Sequence, residues 1–155
     1  MKLTLELNNK RKRIEVPASR TPMDVLRSHG FWSIRRGCET ASCGNCTVIL
    51  DGKAVYSCNR LAAQVDCKKI ETYEMFEEDG SLEPLKLAFS DYVDPDCNYC
   101  LAGFILSLKA VFDLNPEPTE EEIVDAVAGN HCRCAQTPLP VEEILATVTK
   151  LRGTW

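Results

Sequence analysis

The first half of the chain alternates apolar and polar residues with the period of a β-strand. The segments "KLTLELNN" and "KRKRIEVP" flank Asn8-Asn9 and predict a β-hairpin. "CTVILDGKAVYSC" predicts a second hairpin, because Asp51-Gly52 is a strong two-residue turn signal between β-type segments. "KKIETYE" predicts a further short strand. These elements indicate a small mixed β-sheet.

One helix is predicted between the two hairpins, in "TPMDVLRSHG". Thr21 suits the N-cap, Pro22 suits the first helical position, and Gly30 suits the end. The apolar residues of this segment lie on one side, which predicts that the helix packs across the sheet.

The pattern changes from strand-like to helical near residue 77. The polar segment "EEDGSLEP" predicts a connector. Four apolar segments with helical spacing follow it: "LEPLKLAFSDYV", "NYCLAGFILSLKAVFDL", "TEEEIVDAVAG" and "PVEEILATVTKLRG". Thr119 and Glu122 form a capping box for the third of them. The sequence therefore predicts an α+β protein, with a sheet domain over 1–76 and a four-helix domain over 77–155.

Composition indicates a globular chain: of 155 residues, 45% are apolar and 26% are charged. No apolar run approaches the roughly 20 residues that span a membrane, and "MKLTLELNNK" lacks the apolar centre of a secretory signal. We therefore expect a cytoplasmic protein. Its nine cysteines then indicate metal ligands or redox groups rather than disulfides, and an odd count argues the same way.

Charge is unevenly distributed within the net −5. Residues 1–36 hold nine Lys and Arg against three Asp and Glu, including the run "KRKR". Because this run lies at a predicted hairpin turn without interleaved aromatic residues, it favours a solvated turn or a protein-docking surface over nucleic-acid binding.

The first quartet of cysteines is Cys38, Cys43, Cys46 and Cys58. Its C-x4-C-x2-C spacing with a later fourth cysteine is the plant-type [2Fe–2S] spacing. Glycines beside these cysteines allow the backbone to approach and to direct N–H groups at sulfur. Zinc is the alternative, but it usually takes two C-x2-C pairs, and a Rieske centre needs two histidine ligands that this set lacks.

The second quartet is Cys97, Cys100, Cys132 and Cys134. A C-x2-C pair at the start of a predicted helix and a C-x-C pair after another helix would meet if the helices pack as a bundle. Zinc could use this set as well. The all-cysteine composition and the neighbouring first quartet favour a second [2Fe–2S] cluster.

These motifs resemble the small iron–sulfur subunit of the molybdenum hydroxylase family, which includes xanthine dehydrogenase and aldehyde oxidase. The family pattern "GCxxGxCGxCTV…DG…C" corresponds to "GCETASCGNCTVILDGKAVYSC", and "QCGYCTPGM…GNLCRCTGY" corresponds to "DCNYCLAGFILS…GNHCRCAQT". The resemblance extends over essentially all of the chain.

The resemblance implies a plant-ferredoxin-like β-grasp domain and a four-helix domain, each with one [2Fe–2S] cluster. It implies a large partner subunit with the molybdopterin cofactor and a medium partner subunit with FAD. The second quartet would lie nearer molybdenum and the first would face flavin. Substrate oxidation at molybdenum would then supply electrons that the two clusters pass on singly.

Two departures from the family pattern affect the sites. The family usually has Gln where Asp96 stands, in a position that commonly lies against the pterin, so Asp96 is a candidate pterin neighbour. The family's glycine-rich loop is replaced here by "ETAS", so a positive φ at residue 41 or 42 would be strained. All eight proposed cysteine ligands remain.

The function expected from the sequence is an electron-transfer subunit, with substrate catalysis carried out on another chain. Two alternatives stay open: a free-standing two-cluster ferredoxin, and a zinc-stabilised structural module. Cys67 has no partner at ligand spacing, and we expect a small buried or half-buried residue there.

Overall fold

The structure is a computed structural model that describes residues 1–94, 96–135 and 138–151, with side chains as far as residue 147. Its strands are β1 (Lys2–Leu7), β2 (Lys10–Glu15), β3 (Thr47–Leu50), β4 (Lys53–Tyr56) and β5 (Lys69–Glu71). Its α-helices are α1 (Pro22–Ser28), α2 (Tyr73–Asp79), α3 (Glu83–Ala88), α4 (Leu101–Leu114), α5 (Glu120–Val127) and α6 (Val141–Leu151).

Both predicted hairpins are confirmed, and their turns have the backbone conformation that the sequence requires. Asn8 and Asn9 have φ of 50° and 61°, and Asp51 and Gly52 have φ of 48° and 81°. Two consecutive left-handed residues form the turn whose twist matches that of the flanking strands. The turns place β1 antiparallel to β2 and β3 antiparallel to β4.

The five strands form one mixed sheet in the order β2-β1-β5-β3-β4. β1 and β5 are parallel, and β3 and β5 are antiparallel. The basic run 10–13 lies on the edge strand β2, where all four side chains are exposed. Charged residues on an edge strand oppose pairing with another sheet, which gives this run a structural role.

Strand β3 is buried on both faces, which joins the two halves of the molecule. Val48 packs in the core between the sheet and α1, together with Met23 and Leu26. Its neighbour Ile49 points the opposite way and packs in the helical core with Phe104. Because successive strand residues face opposite sides, β3 contributes to both cores at once.

Helix α1 has the predicted start. Thr21 and Asp24 form a capping box, and Pro22 occupies the first turn. The chain leaves the helix through Gly30, whose φ is 89°. Met23, Val25 and Leu26 are buried against the sheet, as their spacing predicts.

The helical half contains one helix that the sequence did not predict. Helix α2 occupies Tyr73–Asp79, so the segment expected to be a connector from Glu77 begins inside a helix. Tyr73 and Phe76 are buried in the helical core, and the helix ends at Gly80, which is left-handed. The predicted capping box of α5 at Thr119 is confirmed. In the described part of the chain, no helix is long and apolar enough to cross a membrane.

Candidate metal centres

The structure brings the four cysteines of the first quartet together at one end of the sheet. Cys38, Cys43 and Cys46 lie on the loop before β3, and Cys58 lies just after β4. The Cys38 thiol neighbours that of Cys43, and the Cys58 thiol neighbours that of Cys46. The second hairpin thus returns the chain to its starting loop and completes the quartet.

Backbone N–H groups of the loop point at the sulfurs of the first quartet. The N–H of Ser42 donates to the Cys38 sulfur at 3.3 Å. This bond is the main reason that the pKa of Cys38 is lowered to about 6. Burial raises the pKa of Cys43, although the N–H of Asn45 opposes that rise. Burial and the neighbouring Cys46 raise the pKa of Cys58 to about 12.

The loop follows a tight path over Gly37 and through Ala41. A Cβ on Gly37 would overlap the Asn45 amide nitrogen and would lie 2.9 Å from the Cys43 sulfur. Ala41 has φ of 55°, which is the positive-φ strain expected at residue 41 or 42. A non-glycine residue in that region costs about 1–2 kcal/mol.

The second quartet is assembled from two helix ends. Cys97 and Cys100 precede α4, with Cys100 at its N-cap, while Cys132 and Cys134 follow α5. The Cys100 thiol neighbours that of Cys132, and the Cys134 thiol neighbours that of Cys97. Burial, followed by the contact with Cys132, raises the pKa of Cys100 to about 12. The charge of Cys97 is the largest cause that raises the pKa of Cys134.

The second quartet lines an open cavity of about 490 Å³. Arg36, Tyr99 and Arg133 also line it. Cys97 and Cys134 are exposed, whereas the first quartet contains no exposed cysteine. The second site is therefore the more accessible of the two.

Hydrogen bonds join the two cysteine loops directly. The N–H of His131 donates to the Cys43 carbonyl oxygen at 2.9 Å. The buried Asn130 donates from its side chain to the Gly44 carbonyl oxygen at 3.2 Å and accepts from Ser107 at 2.9 Å. Because Asn130 and His131 immediately precede Cys132, the loop of the second quartet rests on the loop of the first.

Two glycines allow this close approach. A Cβ on Gly103 of α4 would lie 2.5 Å from the Gly44 carbonyl oxygen, and a Cβ on Gly129 would overlap the Tyr56 hydroxyl group. Neither contact can be relieved without moving the backbone or the half-buried Tyr56. No local sequence pattern indicates these roles of Gly103, Gly129 or Asn130.

Each quartet brings four cysteine side chains together. A [2Fe–2S] cluster takes four cysteine ligands, two for each of its two irons. Structural zinc instead requires four ligands around one ion. Among the described residues, no group of three or more His, Cys, Asp or Glu side chains is arranged around one ion position. The chemistry of the donor set, four cysteines at each site, fits the two-iron group.

Two other residues from the sequence analysis are exposed. Asp96 lies beside the second quartet, and its N–H donates to the Asp94 carboxylate at 2.9 Å. Cys67 is exposed with φ of 59°, so the expectation of a buried or half-buried residue was wrong. It occupies a left-handed position before β5, and its N–H donates to the Thr4 carbonyl oxygen.

The fold and the two cysteine sites define a two-domain iron–sulfur protein, and family models agree. A model described as "2Fe-2S iron-sulfur cluster binding domain" matches residues 5–74. A model described as "[2Fe-2S] binding domain" matches residues 72–144. The chain thus has two [2Fe–2S]-binding domains in the predicted order, consistent with two clusters.

Similar proteins extend the match to nearly the whole chain. The nicotine 6-hydroxylase small subunit of Paenarthrobacter nicotinovorans is 40% identical over 146 residues, which are 94% of this chain and 88% of that protein. The nicotinate dehydrogenase small FeS subunit of Eubacterium barkeri is 41% identical over 133 residues, 85% of each chain. A chain of quinoline 2-oxidoreductase from Pseudomonas putida 86 superimposes with a TM-score of 0.85 at 27% identity, covering 99% of this chain and 97% of that one. The chain belongs to the small [2Fe–2S] subunits of the molybdenum hydroxylase family.

Proposed function

We propose that this chain is the electron-transfer subunit of a molybdenum-dependent hydroxylase. It would receive single electrons from a molybdopterin centre on a large partner subunit and pass them through its two clusters towards FAD on a medium partner subunit. Cys38, Cys43, Cys46 and Cys58 would hold the first cluster. Cys97, Cys100, Cys132 and Cys134 would hold the second cluster. No catalytic residue for the substrate is assigned to this chain.

The hydrogen-bonded junction between the two quartets carries this proposal. When bound, a [2Fe–2S] cluster accepts and releases one electron at a time. The protein keeps the two sites adjacent, because His131 bonds to the Cys43 carbonyl oxygen and leads directly into Cys132. The Ser42 N–H stabilises thiolate at Cys38, and the half-buried or buried position of all four cysteines of the first quartet limits access of water.

The exposure of the second quartet supports a partner at that site. Cys97 and Cys134 are exposed, and solvent-accessible thiolates are prone to oxidation. The large subunit would cover this surface, with Asp96 against its pterin. The exposed Asp96 carboxylate would then meet a group that glutamine meets elsewhere in the family. We further propose a cytoplasmic location, which agrees with nine free cysteines.

Anaerobic purification of the native complex tests the proposal. We expect two distinguishable [2Fe–2S] EPR signals, matching iron and sulfide contents, and co-elution with larger molybdenum- and flavin-containing chains. Zinc without iron would contradict cluster binding. Elution of the clustered native chain as a small monomer would instead favour the free-standing ferredoxin.

A further inference from the structure

Asn45 lies between the two cysteine sites and belongs to neither ligand set. It stands between Cys43 and Cys46 in the first loop, and it is only 7% exposed. Its backbone serves the first site, because its N–H faces the Cys43 sulfur. Its carbonyl oxygen accepts from the N–H of Arg35 at 3.0 Å, which fixes the backbone on the other side.

The side chain of Asn45 reaches the second site. It lines the cavity that contains Cys97, Cys100, Cys132 and Cys134. On its other side the amide packs over Gly37, whose missing Cβ leaves the space that the amide occupies. Asn45 thus belongs to the first loop by its backbone and to the wall of the second site's cavity.

The Asn45 carboxamide has an unused hydrogen-bonding group. Its Oδ1 is buried and has no hydrogen-bond partner. Because Oδ1 is closed off, the NH₂ group is the polar end of the carboxamide that is left to face the cavity. An anionic cluster in the cavity favours the orientation that presents NH₂ to it.

We propose that Asn45 donates a side-chain hydrogen bond to a sulfur of the second cluster and so raises its reduction potential relative to that of the first. Reduction adds negative charge to the cluster, and an N–H donor stabilises the more negative state. Asn45 thus biases how an electron divides between the two clusters. The inference rests on the proposed function, since it requires both clusters.

The test is Asn45→Leu in the native complex, followed by an EPR-monitored redox titration. Leucine has a similar branched shape and removes both polar atoms. We expect the equilibrium constant for electron transfer from the first cluster to the second to fall about tenfold. This change corresponds to a decrease of about 59 mV in the reduction potential of the second cluster relative to the first. The first cluster keeps its backbone N–H donor, so its potential stays unchanged.

Asn45→Asp and Asn59→Leu complete the experiment. Aspartate keeps the shape and replaces the donor, so it also lowers the potential of the second cluster and serves if the leucine variant does not accumulate. Asn59 also adjoins a first-quartet cysteine but is exposed, so Asn59→Leu leaves both potentials unchanged. Unchanged potentials in the Asn45 variants, with both EPR signals present, would overturn this inference and leave the two-cluster function standing. Absence of either signal from the unmodified complex would instead overturn the proposed function.

Discussion

The two cysteine sites differ in how the chain constructs them. The first is a local structure, in which one loop and one hairpin supply all four cysteines and much of the backbone hydrogen bonding. No single loop supplies the cysteines of the second site. Its cysteines come from the ends of α4 and α5, and its position depends on Asn130 and His131 bonding to the first loop. The comparison indicates a hierarchy, in which the first site can form without the second but supports it.

Removal of one proposed cysteine ligand from each site is the strongest test of this hierarchy. We expect Cys134→Ser to abolish only the second cluster and to remove about half of the iron, since the two clusters carry equal iron. We expect Cys58→Ser to abolish the first cluster and also to lower occupancy of the second, because the supporting loop loses its metal. Iron and sulfide assays with EPR measure both effects. Equal and independent losses would contradict the hierarchy.

Gly103→Ala tests the contact between α4 and the first loop. Helix propensity alone predicts stabilisation by up to about 1 kcal/mol. The added Cβ would lie 2.5 Å from the Gly44 carbonyl oxygen, so we expect net destabilisation of about 1–3 kcal/mol and a larger loss of the second cluster than of the first. Thermal unfolding and EPR provide the measurements.

Gly80→Ala is a comparison for the glycine experiment. Gly80 is left-handed, but a Cβ there meets nothing within 4 Å, so the substitution tests backbone strain alone. It should leave the occupancy of both clusters unchanged. Equal cluster loss in the two variants would show that general instability, rather than the α4 contact, is responsible.

Asn130→Ala removes the side chain that bridges the two halves. The Gly44 carbonyl oxygen and the Ser107 hydroxyl group would lose their bonds to Asn130 in a buried position, which costs about 1–3 kcal/mol. Denaturant unfolding measures this cost. The EPR signal of the second cluster should broaden at a lower denaturant concentration than that of the first. Asn115→Ala is the matched control, because its side-chain bonds to Glu122 and to the N–H of Glu117 are both exposed and their loss should change stability less.

Ala41→Gly has the smallest expected effect and acts only on the first site. Glycine adopts φ of 55° without the penalty that alanine meets, so we expect a gain of about 1 kcal/mol in the free energy of unfolding. Ala63→Gly is the control, because the exposed Ala63 is not left-handed and glycine there should destabilise. Similar changes at both positions would contradict strain at Ala41.

Local signals explain what the sequence predicts well. Turn residues such as Asn8-Asn9 and Asp51-Gly52 determine their hairpins without help from distant residues. The cysteine spacings likewise carry their chemistry in a few consecutive positions. Helix α2 was missed because "TYEMFEED" combines β-prone aromatic residues with a polar end, and its helical state depends on burying Tyr73 and Phe76 against α4.

The residues between the sites had no signal in a single sequence. Asn45 and Asn130 resemble ordinary loop asparagines, and their positions depend on contacts with residues distant in the chain. Gly103 lies within a helix, where glycine normally indicates only weak propensity. These roles follow from the packing of one half on the other, which no local pattern encodes.

The two-faced burial of β3 has a consequence for biosynthesis. The ribosome completes β5 before α4 is synthesised, so Ile49 of the nascent sheet has no helical cover during that interval. At about 5–20 residues per second, this exposure lasts for seconds. The emerging N-terminal half is therefore a candidate client for ribosome-associated chaperones, and loss of newly made protein should concentrate at that stage of translation.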